Sequence, residues 1–148
     1  MNTTRVIHLA SDDVSVLLAL RGDRLPTVAH WGRRLVAPDD DLRALAEAGH
    51  RTGIDGESDV PYDPSLLPEH TDGWGGRPGL SVHRGGAAWS PRLTVQTVEV
   101  DGDAVAPGAV VQRGASTVRV VAHDEFAEIT ATLEIALTGA GLLRARTV

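Results

Sequence analysis

The sequence has no cysteine and no lysine, and it has only three tryptophans, one tyrosine and one phenylalanine among its 148 residues. Without cysteine, the chain cannot form disulfides, thiolate metal sites or cysteine nucleophiles, so the fold must depend on an apolar core. All 14 basic residues are arginine. We attribute this bias to the coding composition of a GC-rich genome, and it carries no functional inference.

Long hydrophobic runs are also absent. Nowhere do about 18 apolar residues follow one another, and residues 1–13 lack the basic region and apolar run of a signal peptide. The net charge is −6, and the acidic residues are scattered apart from Asp39, Asp40 and Asp41. This composition favours neither a nucleic-acid patch nor a membrane-binding helix. We therefore expect a soluble, cytoplasmic protein without nucleic-acid or membrane partners.

Most apolar residues alternate with polar ones, a pattern typical of β-strands. The clearest example is residues 129–137, where every second side chain is apolar. One short helix is predicted at 38–48, with acidic residues at its N-terminal end and Gly49 after its last turn. The chain is thus predicted to be mainly β, an antiparallel sandwich with one short helix. Its other predicted strands are 5–10, 14–20, 26–31, 93–100, 109–112 and 117–123, and a final strand within 141–148 is expected to pair with 129–137.

Residues 50–90 form a long central loop region, and connections of that length are usually functional or disordered. Within it, Trp74 stands close to Asp72 and Arg77 on a Gly/Pro-rich scaffold. An aromatic ring can stack on a sugar while charged groups bond its hydroxyls. The alternative is a structural loop whose Trp74 caps the edge of the core. Trp89 is expected to anchor the core, and Trp31 to lie at its rim.

The histidines and glycines indicate no metal and no cofactor. No pair among the six histidines has the close spacing of a metal site. The glycines of residues 73–79 lack nucleotide-loop spacing, and no helix pattern follows them. The carboxylates of the loop region have no evident scaffold to hold two of them as a catalytic pair, so we expect solvated or capping roles for them.

Several short segments occur in an order that resembles one family: HWG at 30–32, SLLPE at 65–69, GWGGRPGL at 73–80, His83, and WSPR at 89–92. The combination resembles the N-terminal region of bacterial α-galactosidases of glycoside hydrolase family 36, over nearly the whole chain. The resemblance implies a β-supersandwich, followed in the family by a (β/α)₈ catalytic barrel and a small C-terminal β domain. Residues 1–148 would then be a single, incomplete N-terminal domain without the barrel.

The resemblance also implies a function. The family removes terminal α-linked galactose from oligosaccharides of the raffinose and melibiose type with retention, which requires two carboxyl groups about 5 Å apart. In the family both lie on the barrel, so this chain would hold no catalytic residue and be inactive alone. Its implied roles are to shape the active-site rim around a galactose-containing oligosaccharide and to contribute to a homo-oligomer interface.

One site residue is implied by a loop that, in this family, supplies an aspartate to the sugar site. Asp59 in the segment ESDVP is the best match, but the family has leucine where Ser58 stands, so Asp55 remains an open substitute. The candidate substrate-binding residues are therefore Asp59 or Asp55, with Trp74 and Arg77. A stand-alone carbohydrate-binding sandwich and a purely structural interaction domain remain as alternatives.

Overall fold

Two β-sheets packed face to face make up most of the computed structural model, which describes residues 3–50 and 63–148. In that part of the chain one sheet has the order β3-β2-β1-β6 and the other the order β5-β4-β7-β8-β9. The predicted mainly β sandwich with one short helix is confirmed. The elements are β1 (Arg5–Ala10), β2 (Val14–Leu20), β3 (Thr27–Arg33), α1 (Asp39–Ala48), β4 (Thr94–Val100), β5 (Asp103–Ala104), β6 (Val110–Arg113), β7 (Thr117–Asp124), β8 (Ile129–Leu137) and β9 (Leu143–Thr147).

The main core lies between the two sheets. Ile7, Leu9 and Leu18 of the first sheet face Val120 and Leu133 of the second, and all are buried. Each such side chain contributes about 1.5–3 kcal/mol relative to an exposed one. The alternating apolar residues of β8 lie in this core, as its pattern predicts.

Helix α1 covers the outer face of the first sheet. Its Leu42 and Ala46 pack on Leu17 and Ala19 of β2, and Gly49 lies at its C-terminal end. The predicted helix, with its acidic first turn, is confirmed. Because the sandwich core covers the other face of β2, that strand is buried on both sides.

A chain of hydrogen bonds between α1 and the first sheet satisfies the buried His8. The Gln112 amide donates to Asp39 Oδ1 at 2.8 Å, so Gln112 Oε1 must accept from His8 Nδ1, 3.2 Å away. The Ser15 hydroxyl then donates to His8 Nε2 at 2.9 Å while it accepts the Leu35 N–H. Ser15 is fully buried, so this serine–histidine pair is structural.

β6 lies parallel to β1 and brings the C-terminal half of the chain into the first sheet, with Val6 paired to Val110. The last strand, β9, pairs antiparallel with β8, which confirms the predicted final strand. In the described part of the chain, no helix has the length and apolar character needed to cross a membrane.

Two expectations for tryptophans are wrong. The Trp89 side chain is 69 % exposed and does not anchor the core. Ala88, directly before Trp89, has a left-handed backbone with φ 51°. The buried residue in this segment is Leu93, directly before β4. Trp31 projects from the edge strand β3 and is 63 % exposed, so it does not lie at the core rim either.

Candidate functional site

A cavity of about 360 Å³ opens beside the turn between β2 and β3. Its walls combine two arginines, two aspartates and a histidine with smaller polar and apolar groups: Arg21, Arg24, Leu25, Thr27, His50, Asp63, Ser65 and Asp72. Such a lining supplies hydrogen-bond donors and acceptors to a polar ligand. We refer to it as the arginine cavity.

Arg21 holds one wall of the arginine cavity together. Its Nη1 donates to Asp63 Oδ2 at 2.6 Å, and its Nη2 donates to the Ala46 carbonyl, near the end of α1, at 2.6 Å. His50 Nδ1 lies 3.1 Å from the same Asp63 oxygen. A guanidinium with both ends engaged has a fixed orientation. The wall is therefore pre-organised by the β2–β3 turn, α1 and Asp63.

A second group of charges consists of Arg24 and Asp72, which line the arginine cavity, and the nearby Glu69, which does not. Asp72 forms an ion pair with Arg24, and the nearby Glu69 accepts the Leu93 N–H at 2.7 Å through Oε1. Burial, aided by the negative charge of Asp72, raises the pKa of Glu69 to about 7, although the Leu93 N–H and Arg24 oppose the shift. Glu69 thus connects the central loop region to Leu93, directly before β4. Because its pKa is about 7, its carboxyl group is about half protonated at neutral pH.

The raised pKa predicts how Glu69→Gln changes stability with pH. An acid whose pKa is raised in the folded state stabilises the protein less as the pH rises from about 4.5 towards 7. Glutamine keeps the acceptor for Leu93 but cannot ionise. We expect the variant to be more stable than the wild type by on the order of 1–2 kcal/mol at pH 8, with the difference shrinking towards pH 4. Urea unfolding followed by circular dichroism at several pH values measures this.

Glu47→Gln, on the exposed face of α1, is the matched control, and it should leave the pH dependence unchanged. A stability difference for Glu69→Gln that stays constant from pH 4 to pH 8 would contradict the prediction.

The best sequence candidates for sugar contact, Asp55 and Asp59, lie outside the described residues. The neighbouring described residues are His50 and Asp63, and both lie on the wall of the arginine cavity.

Trp74 and Arg77 belong to a separate closed loop rather than to the lining of the arginine cavity. Trp74 Nε1 donates to the Arg77 carbonyl at 2.8 Å, and His70 Nε2 donates to the Gly76 carbonyl at 2.9 Å. The indole packs so tightly on Gly76 that a Cβ there would come within 2.7 Å of the ring. The Arg77 side chain is exposed. Of the predicted trio, only Asp72 lines the cavity.

The cavity contains groups that sequence reasoning missed, namely Arg21, Arg24, His50 and Asp63. They come from separate parts of the chain, so no local motif joins them. The available signal was the turn Arg21-Gly22-Asp23-Arg24, which places two arginines in a four-residue turn.

The charged groups that line the arginine cavity are paired with one another. Its two aspartates are each engaged by an arginine, which leaves neither as a free acid or base. Within residues 3–50 and 63–148, no group of three histidine or carboxylate side chains is placed to hold a metal ion. Hydrogen bonding to a polar, uncharged ligand is the chemistry that such a wall supports.

Residues 24–148 match the family model described as the glycosyl hydrolase family 36 N-terminal domain. The chain therefore belongs to this family of N-terminal domains. The matched region contains the arginine cavity apart from Arg21, and all of α1 and β3 to β9. Comparisons with curated proteins and with solved structures found no match.

Proposed function

We propose that this chain is the N-terminal domain of a retaining α-galactosidase and that it shapes the rim of the active site. The substrate would be a galactose-containing oligosaccharide, and the two catalytic carboxyls would belong to the barrel that the resemblance implies. Family membership supports the class of enzyme. The observation that carries the rim role is the position of His50 and Asp63 on the wall of the arginine cavity, at either end of the segment with Asp55 and Asp59.

The chemistry of the arginine cavity supports this role. A galactosyl unit is uncharged and has many hydroxyls, which can both donate and accept hydrogen bonds. The fixed guanidinium of Arg21 and the carboxylates of Asp63 and Asp72 offer complementary groups at one opening. We further propose that Asp59, or Asp55 in its place, contacts a sugar hydroxyl.

A role in a homo-oligomer is part of the same proposal. Trp31 and Val36 are large apolar side chains that are mostly exposed, on and just after the edge strand β3. Exposed apolar groups beside a sheet edge favour association. Light scattering on the full-length gene product measures its assembly.

The first experiment compares the hydrolysis of a chromogenic α-galactoside by this chain and by the full-length product of its gene. We expect turnover only from the full-length protein, because both catalytic carboxyls are proposed to lie outside residues 1–148. Turnover by neither protein would contradict the enzyme proposal and favour a carbohydrate-binding or structural module.

Replacing Asp59 in the full-length enzyme tests the rim role. We expect Asp59→Ala to lower kcat/KM for an α-galactoside by about tenfold or more, because a hydroxyl of the sugar loses a charged acceptor in a desolvated site. Asp41→Ala, an exposed carboxylate on α1, is the matched control and should leave kcat/KM unchanged. If Asp55→Ala has the large effect and Asp59→Ala none, Asp55 takes the role; unchanged kinetics in both variants would refute it.

A further inference from the structure

A second concave surface shares no lining residue with the arginine cavity, although its Thr71 directly precedes Asp72 of that cavity, and it has exposed aromatic rings on both sides. It is a cleft of about 530 Å³ between residues 87–92 and the turn that joins β7 to β8. Trp89 on one wall is 69 % exposed and Phe126 on the other is 86 % exposed. We call it the aromatic cleft. Its volume lies within the range of small-molecule sites.

A short hydrogen bond from Arg92 to Asp124 joins the two walls of the aromatic cleft, and a second one holds the turn that carries Phe126. Asp124 accepts the Arg92 N–H through Oδ2 and the Ala127 N–H through Oδ1, each at 2.6 Å. At the rim, Arg84 forms a 2.5 Å ion pair with Glu128. The walls therefore hold their separation without a ligand, which lowers the ordering cost of binding.

The backbone next to both aromatic rings is in an unfavourable conformation. Ala88, directly before Trp89, has φ 51°, and Glu128, two residues after Phe126, has φ 50°. Residues with a side chain rarely adopt this left-handed region, and they persist in it only where the surroundings enforce it. At Glu128 this conformation belongs to the short β7–β8 hairpin loop, in which left-handed residues are common, whereas Ala88 lies outside the strands named above.

Polar donors lie beside the rings in the aromatic cleft. The Arg92 side chain is exposed and its guanidinium makes no hydrogen bond with any other described residue, although its positive charge acts on Glu69 and lowers the pKa of that carboxyl. The Ser90 hydroxyl likewise has no hydrogen-bond partner in the described part of the chain. Both carboxylate oxygens of Asp124, in contrast, are engaged by backbone N–H groups. The cleft thus offers free donors and apolar ring faces together.

We propose that the aromatic cleft binds one pyranose unit of a neutral oligosaccharide. Trp89 stacks on the apolar face of the sugar ring, Phe126 bounds it from the other wall, and Arg92 and Ser90 bond its hydroxyls. The concave shape and the free donors favour a sugar over a protein partner, for which a flat apolar patch would suffice. The site is separate from the arginine cavity, and its existence does not depend on the proposed α-galactosidase activity.

The test is titration of the chain with melibiose and with raffinose, followed by tryptophan fluorescence and calorimetry. We expect saturable binding that weakens by at least tenfold in Trp89→Ala and in Phe126→Ala. Both side chains are mostly exposed, so the variants should fold, which circular dichroism checks. Arg92→Leu should weaken binding while the Trp89 response remains.

Leu142→Ala is the matched control, because Leu142 is also a mostly exposed apolar residue but lies between β8 and β9 and does not line the cleft. It should keep the wild-type dissociation constant. The proposal is overturned if neither sugar binds, or if the Trp89 and Phe126 variants bind as the wild type does. It is also overturned if these variants change only the oligomer mass, which would assign the cleft to a protein interface.

Discussion

Asp124→Ala is expected to lower the free energy of unfolding by about 3–5 kcal/mol, the largest effect of a single polar substitution that we predict. The carboxylate accepts two backbone N–H groups at 2.6 Å, from Arg92 and Ala127, and the side chain is 5 % exposed. Bonds to a charged acceptor contribute about 1.5–3 kcal/mol each, and alanine would leave both donors without their partner. Urea unfolding followed by circular dichroism measures the loss.

Two further variants test whether the loss of stability arises from the acceptor oxygens of Asp124. Asp124→Asn keeps one acceptor oxygen and should lose roughly half as much. Asp103→Ala removes an exposed carboxylate from β5 and should change stability by less than about 0.5 kcal/mol. An Asp124→Ala protein with the urea midpoint of the wild type would contradict the role of the carboxylate.

The same carboxylate predicts a loss of stability in acid. Burial raises its pKa, but the backbone N–H groups of Ala127, Arg92 and Phe126 together outweigh burial, so the pKa of Asp124 is lowered from its usual 3.8. An acid with a lowered pKa stabilises the folded state above its unfolded value, and this contribution is lost as the pH falls through the folded value. The deficit of Asp124→Ala should therefore be full at pH 7 and shrink below about pH 4.

Arg24→Met is the second large effect, with an expected loss of about 3 kcal/mol in the free energy of unfolding. The substitution leaves Asp72, a carboxylate only 9 % exposed, without its cation and close to Glu69. An uncompensated buried charge costs more than the ion pair contributed. Urea unfolding at pH 7 measures the loss.

A double variant distinguishes the cost of an unpaired Asp72 charge from the cost of lost Arg24 packing. Adding Asp72→Asn to Arg24→Met removes the unpaired charge and should recover at least half of the lost stability. Arg144→Met, an exposed arginine on β9, is the control and should be nearly neutral. If the double variant is less stable than Arg24→Met, the cost does not arise from an unpaired Asp72.

The strands could be predicted because period-two burial is a local property of the sequence. β8 shows this directly, since its buried residues alternate with more exposed ones as far as Ile135. β2 departs from the pattern, because α1 covers its outer face, and its continuous apolar run results from that second cover. The parallel pairing of β6 with β1 could not be predicted, because periodicity identifies a strand but not its partner.

The arginine cavity was harder to predict from the sequence than the strands were. The resemblance identified the family, but it implied no role for the arginines of the turn at residues 21–24. The arginine cavity forms only when the turn, the end of α1 and Asp63 come together in the fold. The error at Trp89 has a similar origin, because the direction of the ring depends on the left-handed Ala88, which its residue type does not favour.

The pairing of β1 with β6 affects how the protein is made. Val6 pairs with Val110, so β1 must wait for a partner that is synthesised roughly 5–20 s later at about 5–20 residues per second. During that delay the β1–β2 hairpin exposes one unpaired edge of a strand with apolar side chains on both faces. Contacts so distant in sequence also slow folding after synthesis. Nascent chains that end before β6 should therefore depend on chaperones, whereas chains that include β6 can close the first sheet.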